Sequence, residues 1–322
     1  MTRRTASGVI FAVLVLAAMA FFLFRPAEKP MRRSVTFTTM GTIARFDWYA
    51  TEKVAGEATF AANAAFQQVV SACNLRDKKS ELSRLNATAD KEPFVCSDTL
   101  WGILTEARRA YQMSGGAFDI TVKPLMDLWG FYRKRETLPP PGEIAAVRRL
   151  VGMERVIWDD AKHSVFFSVK NMALDLDGIA KGYALDRAAE AAMRCGVTQG
   201  VLDLGGNLRL LAPFPGQKSF SVGIRTPDGS RRTKPCEELA NLAGNVGIST
   251  SGNYERFVVY QGKRYGHILD AKTGFPAEYR YSATVVAPDA VTADWMSTTC
   301  YLRPDLAQEF RKKGIIAVLV EP

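Results

Sequence analysis

The stretch Ala173-Leu-Asp-Leu-Asp-Gly-Ile-Ala-Lys-Gly182 contains the sharpest change of local structure in the chain. It joins an apolar run, predicted as a strand over 173–177, to a helix predicted from about 179 to 195. Two acids, two glycines and a lysine meet at this junction. Carboxylate oxygens suit Mg²⁺, and a lysine beside close-approaching glycine backbone suits a phosphate. The junction therefore predicts a site for a metal and a phosphate compound, although Lys181 can equally be a solvated surface residue.

A second stretch, Asp294-Trp-Met-Ser-Thr298, lies in a helix predicted over 291–302. Its carboxylate and hydroxyl are four residues apart, which puts them on one face and one turn of a helix. Asp294 and Thr298 are therefore predicted to hold Mg²⁺ at a diphosphate, with capping or decoration of a helix as the alternative. Neither stretch has the spacing of a P-loop or of a dinucleotide-binding GxGxxG motif.

The segment Gly115-Gly-Ala-Phe-Asp119 follows a helix predicted at 98–113. An aromatic ring and an adjacent carboxylate can stack on and hydrogen-bond a heterocycle. The alternative is a hydrophobic contact by Phe118 and a helix cap by Asp119. Local sequence alone favours this alternative, because Asp is a preferred capping residue.

His267 is one of only two histidines, and it lies beside a glycine near the end of a predicted strand. The ordinary pKa of an imidazole suits a general base near neutral pH. A lone histidine is more often structural, so the catalytic interpretation depends on its neighbours. His163, which precedes a Phe-rich strand, is predicted to be a turn residue.

The composition is that of a globular protein. The chain has 322 residues, of which 47% are hydrophobic and 23% charged, with a net charge of +9. The basic residues are scattered rather than interleaved with aromatics, which argues against nucleic-acid binding. The five cysteines form no CxxC pair, which argues against zinc and thioredoxin-like chemistry. A disulfide between Cys73 and Cys96 is expected, since both flank a variable-looking loop.

The N-terminus predicts export. A basic tip at 1–5 precedes an uncharged apolar segment at 6–24, which is near the length that spans a bilayer, and a linker at 25–33 follows. Ala18-Met-Ala20 is a candidate cleavage site, but the bulky residues after it favour an uncleaved anchor. In both cases residues 34–322 are predicted to form one exported domain.

The rest of the chain predicts an α+β fold. A hairpin over 34–49 bends at Met40-Gly41, and an alanine-rich helix covers 53–73. A short helix is predicted at 143–149. Strands are predicted at 155–158, 164–168, 200–204, 208–211, 219–225, 245–250, 256–260, 264–269, 281–287 and 314–320.

Several segments together resemble the flavin transferase (ApbE) family, the FAD:protein FMN transferases. They are Thr39-Met-Gly-Thr42, Ser80-Glu-Leu-Ser-Arg-Leu-Asn86, Gly115-Gly-Ala-Phe-Asp119 with Pro124-Leu125, Asp175-Leu-Asp-Gly-Ile-Ala-Lys-Gly-Tyr183, Asp203-Leu-Gly-Gly-Asn207, Ser249-Thr-Ser-Gly252, His267-Ile-Leu-Asp270 with Thr273-Gly274, and Ala293-Asp294. Each segment alone is weak, but the ordered set, from Thr38 to Thr299, is specific.

The resemblance implies two intertwined subdomains of mixed, largely antiparallel sheet with helices, and FAD bound in the cleft between them. It implies Mg²⁺-dependent transfer of FMN from FAD to a Ser or Thr hydroxyl of an acceptor redox protein, releasing AMP. Asp294, Thr298 and the Gly178 carbonyl would bind Mg²⁺. His267 would help to deprotonate the acceptor hydroxyl, with Asp294 as the other catalytic residue. The residues implied to line the FAD site are Met40, Ala117, Phe118, Asp119, Asp175, Lys181 and Ile268.

Two positions depart from the family pattern. Asp177 adds a second acid, which can strengthen metal binding or simply face solvent. The loop 74–79 lacks the aromatic-and-proline pattern expected before Ser80, so the resemblance does not imply flavin contacts from it.

The remaining alternatives are hydrolysis of FAD to FMN and AMP by the same site, and a non-catalytic flavin-binding protein. The expected location is the bacterial inner membrane with the catalytic domain in the periplasm, or release into the periplasm if the N-terminus is cleaved.

Overall fold

The computed structural model describes residues 28–227, 233–234, 236–254, 256–277 and 281–321. The predicted basic tip, apolar segment and first linker residues lie outside these ranges. Among the described residues, no helix combines the length and apolar character needed to cross a bilayer.

The strands are β1 (Met31–Thr39), β2 (Thr42–Ala50), β3 (Phe94–Val95), β4 (Val156–Asp159), β5 (Ser164–Phe167), β6 (Gly200–Leu204), β7 (Asn207–Leu210), β8 (Ile224–Arg225), β9 (Thr233–Lys234), β10 (Val246–Ser251), β11 (Phe257–Tyr260), β12 (Lys263–Gly266), β13 (Ser282–Ala287) and β14 (Ile316–Val320). The α-helices are α1 (Glu52–Cys73), α2 (Glu81–Thr88), α3 (Asp98–Met113), α4 (Lys123–Leu128), α5 (Pro141–Arg148), α6 (Ala180–Arg194), α7 (Ala290–Leu302) and α8 (Pro304–Lys312).

The main sheet has seven strands in the order β1-β2-β6-β7-β10-β13-β14. All neighbouring strands in it are antiparallel. A three-stranded sheet of β3, β5 and β4 and the hairpins β11–β12 and β8–β9 are separate from it. The predicted mixed α+β class with largely antiparallel sheet is confirmed, whereas the division into two intertwined subdomains stays a prediction.

The first hairpin turns where the sequence predicts. Thr39 pairs with Thr42, which leaves Met40 and Gly41 as a two-residue loop. Both have positive φ, at 48° and 72°. This is the backbone of the hairpin turns that match strand twist, and it is unusual for a methionine. The bend therefore holds Met40 in a conformation that the surrounding structure must stabilise.

The centre of the main sheet is covered on both faces. On one face, Leu202, Leu204 and Val285 belong to the large core formed with α1, α6 and α7. On the other, Leu210, Ile248 and Val286 pack against Ile224, Leu239 and Leu242. All six residues of β13 are buried for this reason. A sheet buried on both faces gives continuous apolar strands rather than alternation.

Helix α7 is the internal helix of the fold. Of its thirteen residues, the buried ones include the polar Thr292, Asp294, Ser297 and Thr299. It packs against α6 and against strands β10 and β13. Asp289 caps its start by accepting a hydrogen bond from the Thr292 backbone N–H. Asp294 thus lies in the interior, and Thr298, one turn further along, is partly buried.

The predicted strand over 173–177 is wrong, since this segment forms no ladder. Its backbone bonds elsewhere. The Asn86 side chain bonds both the N–H and the carbonyl of Leu174, and the Asp175 N–H donates to the Ile120 carbonyl. Backbone groups of this apolar run are hydrogen-bonded by a side-chain amide instead of a neighbouring strand. Its sequence pattern is nevertheless the same as that of a buried strand.

The strand predicted at 219–225 is also largely wrong. Only Ile224 and Arg225 form a strand, while Phe220 makes an isolated bridge with Leu242. The apolar side chains of this stretch pack onto the second face of the main sheet. Helices α2, α4 and α8 had no sequence prediction, and each has nine or fewer residues. Periodicity is weak over so few turns.

The expected disulfide between Cys73 and Cys96 is not formed, and all five cysteines are free thiols. Cys73 ends α1 and lines the main cleft. Cys96 lies after β3, and its backbone N–H donates to the His163 carbonyl. Although Cys73 and Cys96 flank the same loop, their thiols do not form a disulfide. Burial raises the pKa of both thiols, that of Cys96 to about 12.

Candidate active site

A cleft of about 600 Å³ contains every residue that the sequence singled out for the site. Its walls come from the Met40 turn, the end of α1, the segment after α3, the 175–181 segment, the residues around β10 and β12, and α7. The predicted residues that line it are Met40, Ala117, Phe118, Asp119, Asp175, Gly178, Lys181, His267, Ile268, Asp294 and Thr298. The structure brings them together, and their individual roles stay predictions.

Asp294 is the most enclosed carboxylate of the cleft, with 4% of its surface exposed. One oxygen accepts the Gly182 backbone N–H at 2.9 Å, so Asp294 also caps the start of α6. The other accepts the Asn207 amide at 2.9 Å and lies 3.1 Å from the Ser249 hydroxyl. Burial raises the pKa of Asp294, and the Lys181 charge and these hydrogen bonds oppose the rise.

Thr298 lies one turn further along α7, and its hydroxyl is 3.1 Å from that of Ser251 on β10. Gly178 faces it from the opposite wall. A β-carbon at Gly178 would lie 3.2 Å from the Phe118 ring and 3.7 Å from the Thr298 hydroxyl. The missing side chain therefore exposes the Gly178 backbone to the hydroxyl of Thr298.

Gly182 allows the first turn of α6 to touch the first turn of α7. A β-carbon there would lie 2.3 Å from the Ala290 carbonyl oxygen. This close approach is what lets the Gly182 N–H reach Asp294. Lys181, beside it in the first turn of α6, lies where a helix N-terminus favours an anion.

Phe118 makes a hydrophobic contact and Asp119 caps a helix, as the structural alternative predicts. The Asp119 carboxylate accepts the backbone N–H of Thr121 at 2.8 Å and its hydroxyl at 2.6 Å, which caps a short 3₁₀ turn. Phe118 is 5% exposed, and its ring lies 6.5 Å from that of Trp295. Both still border the cleft, so a cap and a ligand contact are compatible here. Burial raises the pKa of Asp119.

Asp175 and Asp177 share a partner that the sequence did not reveal. The Tyr132 hydroxyl lies 2.7 Å from an Asp175 oxygen and 2.8 Å from an Asp177 oxygen. A phenol has one proton, so both contacts are hydrogen bonds only if one carboxyl keeps its own proton. Burial and then the Asp177 charge raise the pKa of Asp175, so Asp175 holds a proton more readily than an ordinary carboxyl does.

Asp177 also pairs with Arg256, whose guanidinium nitrogen is 2.9 Å from its carboxylate. Its side chain is 53% exposed. Asp177 therefore faces solvent in part, which is one of the two interpretations left open by the sequence, and it also forms an ion pair across the cleft. Metal binding by Asp177 stays a prediction.

His267 directly follows β12 and is half-buried. Its Nδ1 lies 3.1 Å from the Arg256 carbonyl oxygen. Burial, and then the Arg256 charge, lower the pKa of His267 to about 4. The imidazole is therefore neutral at ordinary pH. His163, in contrast, adopts φ 49° in a turn, and its ring stacks on Trp101.

A sequence model described as the ApbE family matches residues 40–319. The chain belongs to the ApbE family. The family inferred from the ordered motifs is thereby confirmed.

Named relatives of this ApbE-family chain match it over most of its length. The FAD:protein FMN transferase of Haemophilus influenzae is 33% identical over 248 residues, which cover 75% of this chain and 71% of that protein. The protein of the same name from Treponema pallidum is 32% identical over 282 residues, covering 82% and 76%.

Solved ApbE structures share the fold. The flavin transferase ApbE from Vibrio cholerae superposes with a TM-score of 0.79 at 26% identity, covering 90% of this chain and 93% of that one. The ApbE protein from Thermotoga maritima has a TM-score of 0.81 at 28% identity, with coverages of 90% and 94%.

Sequence reasoning missed Tyr132 and Arg256 in this ApbE-family site. Tyr132 follows the Trp129-Gly-Phe run after α4, and Arg256 lies shortly after Ser249-Thr-Ser-Gly252. The signal in the sequence that could have identified them was an aromatic or a basic residue next to a motif segment. The 74–79 loop, which departs from the family pattern, does reach the cleft through Asn74, Leu75 and Arg76.

Proposed function

We propose that this chain transfers FMN from FAD to a Ser or Thr hydroxyl of an acceptor redox protein, releasing AMP, with Mg²⁺ bound. The observation that carries the proposal is one cleft holding the buried Asp294 carboxylate beside the Thr298 hydroxyl, a lysine at a helix start and a neutral histidine. The names of the chain's relatives support the reaction type.

The residues present fit Mg²⁺. Asp294, Thr298 and the Gly178 carbonyl offer the oxygen ligands that this ion prefers, and Mg²⁺ commonly uses few protein ligands together with substrate phosphates. The three bonds to Asp294 leave room on its oxygens for another partner. A nearby cation would also offset the burial that raises the pKa of Asp294. When bound, Mg²⁺ supplies neutralisation of charge on the diphosphate oxygens.

Lys181 and the start of α6 bind the phosphate side in this proposal. The lysine contributes a full positive charge, and the helix N-terminus contributes its dipole. Both hold the diphosphate in place while the bond to the AMP phosphate breaks. Met40, Ala117, Phe118, Asp119, Asp175 and Ile268 would contact the rest of FAD.

His267 acts as the base. The acceptor oxygen forms a bond to the FMN phosphorus, the bond from that phosphorus to the AMP phosphate oxygen breaks, and the hydroxyl proton passes to His267. A hydroxyl nucleophile of high pKa needs such a base within hydrogen-bond reach. The low pKa of His267 keeps it unprotonated before the reaction, and a bound diphosphate would raise its basicity.

The test is mass spectrometry of an acceptor carrying a Ser/Thr flavinylation motif, incubated with the chain, FAD and Mg²⁺. We expect an FMN-sized mass increase that is lost when the acceptor hydroxyl is replaced by alanine. Absence of the adduct with an active control transferase present would refute transfer.

The same assay separates the alternatives. AMP release without acceptor at the rate seen with acceptor would indicate an FAD pyrophosphatase. Unchanged product formation by Asp294→Ala would indicate that this carboxylate is not part of the reaction, and no product from the unmodified chain would indicate a flavin-binding protein.

We also propose that residues 34–322 work outside the cytoplasm, tethered to the inner membrane by residues 6–24. The uncharged apolar segment between basic flanks supports this proposal. Protease added to intact spheroplasts should digest the domain, and its protection until lysis would refute export.

A further inference from the structure

The hairpin β11–β12 places Arg256 opposite His267. Phe257 pairs with Gly266 at the open end of this antiparallel hairpin, so the next rung outward pairs Arg256 with His267. The His267 backbone N–H donates to the Arg256 carbonyl at 3.2 Å, which completes that rung. The two residues are therefore held side by side by the strand register.

The same carbonyl also determines which nitrogen of the imidazole carries the proton. Nδ1 of His267 is 3.1 Å from the Arg256 carbonyl oxygen. A carbonyl can only accept, so this contact is a hydrogen bond only when Nδ1 is protonated. In a neutral imidazole, Nε2 then has the free lone pair that a base needs.

The side chain of Arg256 ties this rung to the opposite wall of the cleft. One guanidinium nitrogen is 2.9 Å from the Asp177 carboxylate, and the other is 3.3 Å from the Phe131 carbonyl oxygen. The guanidinium carbon lies 5.1 Å from the centre of the Tyr132 ring. The Phe131 ring in turn meets the His267 ring edge-on, with centroids 6.5 Å apart.

A two-stranded hairpin is marginally stable by itself, and its last rung is the part most prone to open. The two guanidinium nitrogens of Arg256 bond two separate partners, Asp177 and Phe131, and so fix this rung. Planar guanidinium geometry suits such a double attachment better than a lysine does.

We propose that Arg256 is a positioning residue for His267, holding the imidazole as the Nδ1–H tautomer through its carbonyl while its guanidinium anchors that carbonyl to Asp177 and Phe131. The consequence for acceptor deprotonation rests on the proposed function, but the tautomer itself does not.

The test reads the tautomer in the full chain without substrate, by ¹⁵N NMR of the imidazole nitrogens. The chain has only two histidines, so His163→Gln assigns the signals. In the unmodified protein we expect Nδ1 of His267 to resonate as a protonated nitrogen and Nε2 as an unprotonated one. Arg256→Gln should shift both signals toward the averaged values of a free imidazole.

Arg264→Gln is the matched control. Arg264 lies on β12 of the same hairpin, and its guanidinium is over the Phe257 ring rather than at the cleft. This variant should leave the His267 signals unchanged. Arg256→Lys keeps the positive charge but not the two-pronged guanidinium group. The His267 ¹⁵N signals of this variant should therefore lie between those of the unmodified chain and those of Arg256→Gln.

Kinetics provides the second measurement. Misplacement of a catalytic group costs on the order of 10- to 100-fold in rate. Arg256→Gln should therefore lower kcat by about that factor while KM for FAD changes little, and Arg264→Gln should leave both unchanged. If Arg256→Gln does not fold by circular dichroism, Asp177→Asn weakens the same anchor from its other end and should shift the signals in the same direction.

An Nε2–H tautomer in the unmodified chain would overturn the proposal, as would unchanged His267 signals in folded Arg256→Gln. A failed FMN-transfer assay with the expected tautomer would instead overturn the proposed function alone.

Discussion

At the residue scale, Asp294 combines burial with a nearly complete set of hydrogen bonds. Its carboxylate bonds the start of α6 and the Asn207 amide, and its environment raises its pKa. We expect Asp294→Asn to lower FMN transfer by at least about 100-fold, because a neutral amide binds Mg²⁺ poorly. Transfer is measured by the acceptor mass assay over a range of Mg²⁺ concentrations.

Asp305→Asn is the control for this change. Asp305 is an exposed carboxylate just beyond α7, where it pairs with Arg303. The Asp305→Asn variant should transfer FMN at the rate of the unmodified chain. Equal rates for the two variants would contradict a role for Asp294 in Mg²⁺ binding.

The pKa of His267 predicts a pH-dependent contribution to stability. Its pKa is about 4 in the folded chain against the ordinary histidine value of 6.5, so the unfolded state binds a proton first as the pH falls. The contribution of His267 to the free energy of unfolding is complete above pH 6.5 and is lost as the pH falls toward 4. It amounts to at most about 3.5 kcal/mol, since one pKa unit is about 1.4 kcal/mol.

Urea unfolding of the unmodified chain and of His267→Gln measures this contribution. The difference between their unfolding free energies should be constant above pH 7 and should decline, to the disadvantage of the unmodified chain, between pH 6.5 and 4. A difference that does not vary with pH would show that the imidazole titrates normally in the folded state.

At the element scale, the contact between α6 and α7 depends on a missing side chain. A β-carbon at Gly182 would meet the Ala290 carbonyl oxygen at 2.3 Å, and this atom is backbone that cannot turn away. Gly182→Ala should therefore destabilise the fold by about 1–3 kcal/mol. It should also reduce FMN transfer, because Asp294 is held by the Gly182 N–H.

Gly56→Ala in α1 is the matched control. A β-carbon there has no neighbour within 4 Å, and the residue lies inside the helix. Alanine should stabilise this helix by about 0.5–1 kcal/mol, since glycine is the poorer helix former. Urea unfolding of both variants measures the two changes, and equal effects at the two positions would contradict the close-packed interface.

Elements also show why some local predictions succeed. The ends of α3, at Asp98 and Met113, match the sequence prediction, because Ser97 caps its start and glycines follow its end. Segment 173–177 has an equally clear apolar pattern, but its backbone partners are Asn86 and Ile120. Local pattern reports burial and does not report which groups satisfy the backbone.

At the scale of the whole molecule, the cleft is assembled from segments that extend from Met40 to Leu302. A ligand that contacts so many segments binds only the folded chain. FAD should therefore stabilise the whole domain, by about 2.7 kcal/mol at a free concentration 100 times its Kd. Thermal or urea unfolding with and without FAD measures this effect.

Mg²⁺ should add to the FAD stabilisation in the unmodified chain and not in Asp294→Asn. AMP in place of FAD serves as the control ligand, because it lacks the diphosphate. If Mg²⁺ adds the same stabilisation in both proteins, the ion binds elsewhere.

The sequence by itself determined the family, the α+β class and eleven of the residues that line the cleft. Asp294 and Thr298 were predictable together because a helix fixes the geometry of residues four apart. Ordered motifs from Thr38 to Thr299 marked the other walls.

Only the tertiary structure decided which of these residues touch. Tyr132 lies 43 residues from Asp175, and Arg256 lies 79 residues from Asp177. Local periodicity holds no information about such distances, since they depend on how strands and helices far apart in the chain pack against one another. The tautomer and neutrality of His267 are set by the same packing, because burial and the neighbouring Arg256 arise only when the hairpin closes on the cleft.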